Sequence, residues 1–168
     1  MTSGSEQVVA PEKIDCLIAR VEISDLIVTY CQAFDDQDWK SFARLWTDDA
    51  TFSVDDRSFT GKSEVLDFLT TCLPPGYVSK HMLSQPLIRV ADDLRTATAK
   101  TDVVWIAADF TNAIVGRYDD ELAREDGCWK FRRREEIPVP YREGPAPMSK
   151  AAQTVSGKTM HKSLLQER

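Results

Sequence analysis

The stretch from Glu22 to Trp46, EISDLIVTYCQAFDDQDWKSFARLW, predicts how the rest of the chain is organised. Its first part is typical of an amphipathic helix, because apolar residues recur at the three- and four-residue spacing of one helical face. These residues are Ile23, Leu26, Ile27, Tyr30 and Phe34. Such a face predicts a larger layer packed against it, which we expect to be a sheet. Asp35 closes the helix on the line of Ile27 and Cys31, so its carboxylate is expected to point inward.

His81 is the matching residue on the sheet side of this predicted core. The chain contains two histidines, and His81 lies at the start of a later extended stretch. We therefore hypothesise that Asp35 and His81 meet in a pocket and form an acid–base pair. Simpler interpretations stay open. Asp35 belongs to an acidic run with Asp36 and Asp38 that water would solvate well, and His81 is then an ordinary half-buried strand histidine.

The composition is that of a single globular domain and argues against several classes of function. The chain has 168 residues, of which 42% are hydrophobic and 29% charged, with a net charge of −6 and a pI of about 5.0. An acidic chain without a basic stripe is not expected to bind nucleic acid or an anionic membrane surface. No apolar run reaches the roughly 18 residues of a membrane-spanning helix. The N-terminus lacks the pattern of a secretory signal, which predicts a cytoplasmic protein.

Cysteine spacing gives no sign of a disulfide framework or of a metal site. The four cysteines lie far apart in the sequence, and three of them fall in apolar periodic stretches. Buried free thiols in a reducing compartment are therefore expected. These cysteines are Cys16, Cys31, Cys72 and Cys128.

The order of the predicted elements indicates an α+β fold. Helical patterns cover 14–35, 39–46 and 62–72, and extended patterns cover 50–54, 57–61, 78–90, 94–107, 113–124 and 128–139. Pro86 cannot donate to a ladder, so the extended stretch around it is expected at a sheet edge or a bulge. A mostly antiparallel, curved sheet wrapped over three helices leaves an internal cavity for a small ligand. Residues 1–11 are expected to be a disordered arm and 12–140 the domain. The tail at 141–168 is expected to be loose, a lid or a swapped arm.

Three segments of the chain resemble the SnoaL-like branch of the nuclear-transport-factor-2-like superfamily. They are TYCQAFDDQDWKSFARLWTDDATF at 29–52, SKHMLSQPLIRV at 79–90 and GRYDDELAREDGCWKFRRRE at 116–135. The likeness runs in order over residues 14–139 and implies a cone-shaped fold with an internal pocket. It does not imply one reaction, because this fold hosts many functions. Such cones commonly pair through a sheet face, so the resemblance implies a homo-oligomer, with a trimer favoured over a dimer.

Within that branch, the chain is similar to cofactor-free lyases such as scytalone dehydratase, bile-acid dehydratase and hexachlorocyclohexane dehydrochlorinase. Their Asp–His pair falls on Asp35 and His81, which the resemblance therefore implies to be catalytic. Tyr30 matches a tyrosine of the bile-acid enzyme, which implies a proton donor. Arg134 matches an arginine of the dehydrochlorinase, which implies binding of an anionic or phenolic substrate group. Tyr30 replaces the dehydrochlorinase's lysine. Trp105 replaces the bile-acid enzyme's sheet carboxylate, and we expect it to contact the substrate.

The implied chemistry is consistent with the residue types. A neutral imidazole suits removal of a C–H proton near neutral pH, and a carboxylate on its far nitrogen fixes the tautomer and stabilises the imidazolium. Elimination of this kind from a small apolar or aromatic substrate requires no cofactor and no metal. We therefore predict a carbon–oxygen or carbon–carbon lyase. An isomerase, a cyclase and a non-catalytic module such as an oxygenase small subunit remain as alternatives.

Structural roles also stay open at the other candidate positions. Tyr30 would serve equally well as a core residue with a satisfied hydroxyl, and Trp105 as packing. Arg134 follows Arg132 and Arg133 in an extended stretch, where neighbouring side chains point to opposite faces. At least one of these three arginines is therefore surface charge.

Overall fold

The computed structural model describes residues 11–140, which form three helices and a sheet of seven strands. The elements are α1 (Pro11–Asp35), α2 (Trp39–Ala43), β1 (Trp46–Val54), β2 (Arg57–Thr60), α3 (Lys62–Thr71), β3 (Ser79–Leu83), β4 (Leu87–Val90), β5 (Thr96–Ala107), β6 (Ala113–Glu125) and β7 (Cys128–Pro138). The predicted α+β class, with a curved and mostly antiparallel sheet over three helices, is confirmed. The expected tail lies outside the described residues, as does the expected arm apart from Pro11, which begins α1. No helix within residues 11–140 is long and apolar enough to cross a membrane.

The sheet curves around the C-terminal half of α1. Its strands follow the order β2-β1-β7-β6-β5-β3, and β4 pairs with β5 beyond the end of β3. β1 and β7 run parallel, whereas the other described pairs are antiparallel. β6 and β7 are joined by a two-residue turn in which Asp126 and Gly127 both have positive φ, +50° and +80°, as a type I′ hairpin requires. α1 contacts β3, β4 and β7, so residues near its end face strands from both sides of the sheet.

Two element boundaries differ from the sequence prediction. The helix expected over 39–46 ends at Ala43, and Trp46 instead begins β1, where it pairs with Phe131. The Trp46 side chain is fully buried, and burial of so large an apolar surface outweighs a local helical spacing. The stretch 78–90 forms two short strands rather than one, with an interruption that contains Pro86. Both strands lie at the side of the sheet, as expected for a stretch with a proline.

The core lies between α1 and the concave face of the sheet. Phe42, Trp46, Phe52 and Phe131 are fully or almost fully buried, and each such side chain contributes about 1.5 to 3 kcal/mol through burial.

The cysteines follow the prediction less well. All four are free, but only Cys31 is buried, and Cys72 and Cys128 are exposed. The expectation of buried thiols is wrong for these two because Cys72 follows the last turn of α3 and Cys128 follows the β6–β7 turn.

A β-bulge in β7 decides which arginine faces the core. The pairing with β6 jumps from Phe131 to Arg133 between adjacent positions of β6, so Arg132 has no residue opposite it. An extra residue shifts the inward–outward alternation of a strand by one position. Phe131 and Arg134 therefore both point into the core, and both are fully buried. Arg132 is exposed, and Arg133 is partly exposed.

Candidate active site

Asp35 and His81 come together where α1 ends. Asp35 is the last residue of the helix, and His81 lies in the middle of β3, 46 positions later. The Asp35 carboxylate accepts two hydrogen bonds from His81. Its Oδ1 lies 2.7 Å from the ring Nδ1, and its Oδ2 lies 2.9 Å from the backbone N. Both side chains are only 4% exposed. Asp35 is therefore an inward-pointing group, as expected, and not a solvated acid at a helix end.

The hydrogen bond at Nδ1 sets the tautomer of the His81 ring. A carboxylate only accepts, so Nδ1 carries the ring proton and Nε2 keeps a free lone pair. The ring of Phe34 lies 5.4 Å from the imidazole, centroid to centroid, at 89°, which restricts rotation of the imidazole. Lys80 approaches Asp35 Oδ2 at 3.9 Å, but its side chain is 60% exposed, so it adds little. Nε2 is thus the nitrogen available for proton transfer.

A cavity of about 300 Å³ lies beside the imidazole. Most of its wall is apolar and comes from Phe34, Phe52, Val54, Phe68, Leu69, Leu73 and Ile114. Its polar or titratable wall residues are Tyr30, Cys72, His81, Trp105, Asn112, Tyr118 and Glu136. A mostly apolar wall with a few polar groups is typical of a small-molecule site. Among residues 11–140, no three His, Cys, Asp or Glu side chains gather as metal ligands would.

Tyr30 lies one helical turn before Phe34 and lines the same cavity. Its side chain is buried, with the rings of Phe42 and Phe131 packed at 4.8 Å and 5.5 Å, centroid to centroid. Burial raises the pKa of Tyr30 well above its ordinary value, although the charge of Arg134 opposes this rise. The hydroxyl therefore stays protonated. The ring is part of the core, and the protonated hydroxyl is able to donate a hydrogen bond.

Arg134 lies behind the cavity wall rather than in it. Its guanidinium is fully buried and makes a two-pronged ion pair with Asp120, with N–O distances of 2.7 Å and 2.8 Å. It is sandwiched between Tyr30 and Tyr118, with the guanidinium carbon 4.0 Å from each ring centroid, in cation–π geometry. This position does not offer the direct substrate contact that the sequence suggested. Arg134 instead packs between Tyr30 and Tyr118, which line the cavity. These two rings separate its positive charge from the cavity.

Trp105 lines the cavity next to His81. The two residues are paired across β3 and β5, so both side chains point to the same face of the sheet. The indole stacks on Tyr77 with ring centroids 6.2 Å apart and planes 9° apart. Tyr77 covers one face of Trp105, and the other parts of the indole are available to a ligand. The placement agrees with the expected substrate contact and also with a packing role.

Three polar wall residues were not singled out from the sequence, namely Asn112, Tyr118 and Glu136. Glu136 lies two positions after Arg134 in β7 and is paired with Tyr118 across β6 and with Val54 across β1. Both partners line the cavity, so the side chain of Glu136 points the same way. Strand alternation predicts this direction once Arg134 is known to face inward. The bulge that turns Arg134 inward leaves no clear sequence signal.

Comparison with known proteins supports the family resemblance. The sequence matches the family model of the SnoaL-like domain over residues 15–135. No curated protein matches the sequence at a significant level.

Solved structures share the fold at low sequence identity. A candidate scytalone dehydratase from Novosphingobium aromaticivorans is 22% identical with a TM-score of 0.67, and the match covers 80% of this chain and 93% of that one. A type 2 hexachlorocyclohexane dehydrochlorinase is 22% identical with a TM-score of 0.62, covering 82% and 99%. The beta subunit of a candidate aromatic-ring-hydroxylating dioxygenase from Novosphingobium aromaticivorans is 17% identical with a TM-score of 0.62, covering 77% and 94%. These likenesses show a common fold, and a fold alone does not assign a reaction. Because the family match spans most of the chain and the architecture agrees with it, this protein belongs to the SnoaL-like domain family.

Proposed function

We propose that this protein is a cofactor-independent lyase that removes a proton from carbon with His81 and expels a group from the neighbouring carbon. One observation carries the proposal: a nearly unexposed carboxylate, Asp35, binds Nδ1 of His81 at 2.7 Å beside an apolar cavity of about 300 Å³. A base oriented in this way beside a largely apolar cavity is what elimination chemistry needs. The enzymes named among the solved structures of this fold include a dehydrochlorinase and a candidate dehydratase.

The proposed reaction moves one proton and three electron pairs. The lone pair of His81 Nε2 takes the proton from carbon, the C–H electrons form the new double bond, and the bond to the leaving group breaks with its electrons. The Asp35 carboxylate stabilises the imidazolium that forms. The neutral Tyr30 hydroxyl donates a hydrogen bond to an enolate-like oxygen as negative charge develops there.

The wall of the cavity supports a small, largely apolar substrate. Phe34, Phe52 and Phe68 offer aromatic surfaces, and ring–ring contacts add about 0.5 to 1.5 kcal/mol each beyond the area buried. Trp105 extends this surface beside His81. An aromatic or alicyclic substrate with one carbonyl or phenolic oxygen matches these features.

Ring opening of nitrobenzisoxazole tests the proposed base without knowledge of the natural substrate. This compound needs only removal of a C–H proton, and its phenolate product is coloured. We expect His81→Ala to lose the catalysed rate and Asp35→Asn to reduce it by up to about 10,000-fold, the scale seen when an orienting carboxylate is replaced. Asp36→Asn is the matched control, because the Asp36 side chain is 68% exposed, and it should react as the wild type does. A His81→Ala protein with an undiminished rate would exclude the proposed function.

The same base also serves an isomerase or a cyclase, so the product decides between these reactions. A lyase converts a saturated substrate into an alkene and a separate leaving group, whereas an isomerase or cyclase releases no second product. Product analysis by mass spectrometry separates the outcomes. A member with a purely structural role, in the manner of an oxygenase subunit, would catalyse none of them.

We infer in addition that the protein self-associates through the outer face of the sheet, as a trimer in preference to a dimer. Met82, Val115 and Ile137 expose 57%, 51% and 43% of their surface. Each is adjacent in its strand to a cavity residue and so points to the opposite face. Light scattering of the eluting protein gives the stoichiometry. A protein that remains monomeric at high concentration would contradict the inference.

A further inference from the structure

Glu136 is a half-buried carboxyl group in the wall of the cavity. It lies on β7 and lines the cavity together with Phe52, Val54 and His81. No side chain or backbone group among residues 11–140 donates a hydrogen bond to Glu136 or forms an ion pair with it. A buried acid with a structural role is normally hydrogen-bonded or paired. Its neighbour Glu135 shows the contrast, because it points to the other face and contacts Arg133 at 2.7 Å. Within residues 11–140, Glu136 therefore keeps its full hydrogen-bonding capacity for a ligand or water in the cavity.

The surroundings of Glu136 raise the pKa of its carboxyl group above the ordinary value. Burial raises the pKa of the Glu136 carboxyl above its ordinary value, and the charges of His81 and Arg134 oppose that rise without cancelling it. Asp55, in the turn after β1, raises this pKa further. Three other titratable groups face the same space from α1, β6 and the end of α3. They are Tyr30, Tyr118 and Cys72. Burial of the two tyrosines and partial desolvation of the thiol raise the pKa of each, so they remain neutral.

The cavity wall thus carries an imidazole and a carboxyl group on different strands. His81 lies on β3 and Glu136 on β7, with β5 and β6 between these strands. Because both side chains line the same cavity, one ligand can contact both. Titratable groups whose surroundings separate their roles in this way are typical of acid–base sites.

We propose that Glu136 protonates the departing oxygen, which makes the substrate a β-hydroxy carbonyl compound and the reaction a dehydration. This inference rests on the proposed lyase function and specifies its leaving group. Hydroxide is a poor leaving group and needs a proton, whereas a halide or carboxylate leaves without one. An acid that faces the same cavity as the base therefore accelerates an elimination most when the leaving group is a hydroxyl or similar oxygen. A carbonyl next to the C–H bond makes that proton acidic enough for an imidazole to remove.

In the proposed step, His81 takes up one proton and Glu136 gives up one. His81 Nε2 takes the proton from the carbon next to the carbonyl, and the C–H electrons become the carbon–carbon double bond. The C–O bond breaks, its electron pair stays on oxygen, and the Glu136 proton joins it to release water. His81 is left as imidazolium and Glu136 as carboxylate. Transfer of one proton between them, directly or through water, restores both groups.

Two test substrates with one carbon skeleton isolate the acid. The aldol adduct of benzaldehyde and acetone loses water to give benzalacetone, and its acetate ester loses acetate to give the same product. Both reactions remove the same proton and are followed by the ultraviolet absorbance of benzalacetone. We expect Glu136→Gln to slow water loss by about 100-fold or more, the usual contribution of a general acid, and acetate loss by less than about threefold. Glu135→Gln, on the opposite face of the same strand, should change neither rate.

Each outcome has one meaning. If His81→Ala leaves both reactions unchanged, the proposed function is wrong, whatever Glu136 does. If His81→Ala abolishes both and Glu136→Gln slows both equally, Glu136 supports the fold of the site and is not the acid. A wild-type protein that opens nitrobenzisoxazole but does not release water from the aldol adduct would overturn the inference while leaving the base in place.

A titration without substrate provides an independent readout. In protein labelled with ¹³C at the glutamate carboxyl carbons, the signal lost in Glu136→Gln identifies Glu136. We expect this carbon to titrate at a higher pH than a glutamate side chain in an unfolded chain, because burial raises the pKa of Glu136. A Glu136 signal that titrates at the ordinary pH of a glutamate would overturn the proposed role.

Discussion

The Asp35 carboxylate holds His81 by both its ring and its backbone. Oδ1 takes the ring Nδ1–H at 2.7 Å, and Oδ2 takes the backbone N–H at 2.9 Å. Because the second bond fixes the main chain of β3, one side chain determines the tautomer of the imidazole and also the position of the strand that carries it. The end of α1 and the edge of the sheet are thereby tied at the site itself.

Removal of this carboxylate should release the His81 amide. In Asp35→Ala the backbone N–H of His81 loses its acceptor, so we expect its hydrogen exchange to accelerate at least tenfold while Met82 and Lys80 change much less. The fold should lose about 1 to 3 kcal/mol, because a buried donor is left without an acceptor. Amide exchange followed by NMR measures the first effect and urea unfolding the second. An unchanged His81 amide would show that the strand holds its position without Asp35.

The Asp120–Arg134 ion pair should be necessary for stability as a pair but replaceable as a unit. Both side chains are completely buried, so Arg134→Met leaves an unpaired carboxylate and should destabilise the protein by about 3 to 5 kcal/mol. The double variant Asp120→Leu with Arg134→Met removes both charges and should recover much of that loss. Urea unfolding of the two single variants and the double variant gives the coupling energy. A double variant less stable than either single variant would contradict this account.

Glu136 should reduce stability at neutral pH. Its folded-state pKa is raised by burial, so the folded state binds the proton more tightly than the unfolded chain, whose glutamates titrate near about 4.3. The wild type therefore loses stability as the pH rises from that value through the folded pKa. We expect Glu136→Gln to be more stable than wild type by about 1 kcal/mol at neutral pH, as when a destabilising functional group is removed, and equal to it in acid.

Thermal unfolding across this pH range measures the difference between the two proteins. Glu135→Gln is the control, and it should not show the gain, because Glu135 is paired with Arg133. The opposite result would be a Glu136→Gln protein that is less stable than wild type at neutral pH but equal to it in acid. It would show that the Glu136 carboxylate has a stabilising partner.

Cys72 should report whether the cavity is occupied. It lines the cavity and is exposed, whereas Cys128 is exposed elsewhere and Cys31 is buried with its pKa raised to about 12. Benzylacetone, the unreactive saturated analogue of benzalacetone, should slow alkylation of Cys72 by about tenfold and leave Cys128 unaffected. Peptide mass spectrometry after iodoacetamide labelling measures both sites. Equal protection of the two thiols would place the ligand outside the cavity.

The sequence predicted the parts of the site that depend on regular periodicity. Helical spacing placed Asp35 on the buried side of α1, and the scarcity of histidines left His81 as the obvious companion. The structure brings them together, and their catalytic role stays a proposal. Glu136 was missed because the direction of its side chain depends on the β-bulge at Arg132, earlier in β7. Trp46 was assigned to a helix because its spacing fits one, and only pairing with β7 makes it a strand residue. Contacts between distant segments decided both cases.

The unpaired Arg132 in β7 has a consequence for tracing ancestry among relatives of this protein. The positions that face inward change from odd to even at that residue. A homologue without the extra residue would therefore direct a different set of side chains into the interior, even if its sequence in this strand were similar. Alignments that shift β7 by one residue will equate an inward-facing carboxyl group with a solvent-facing one. When β7 is aligned with relatives, the residues before and after the bulge should therefore be aligned separately. Phe131 is the buried reference position before the bulge, and Arg134 is the one after it.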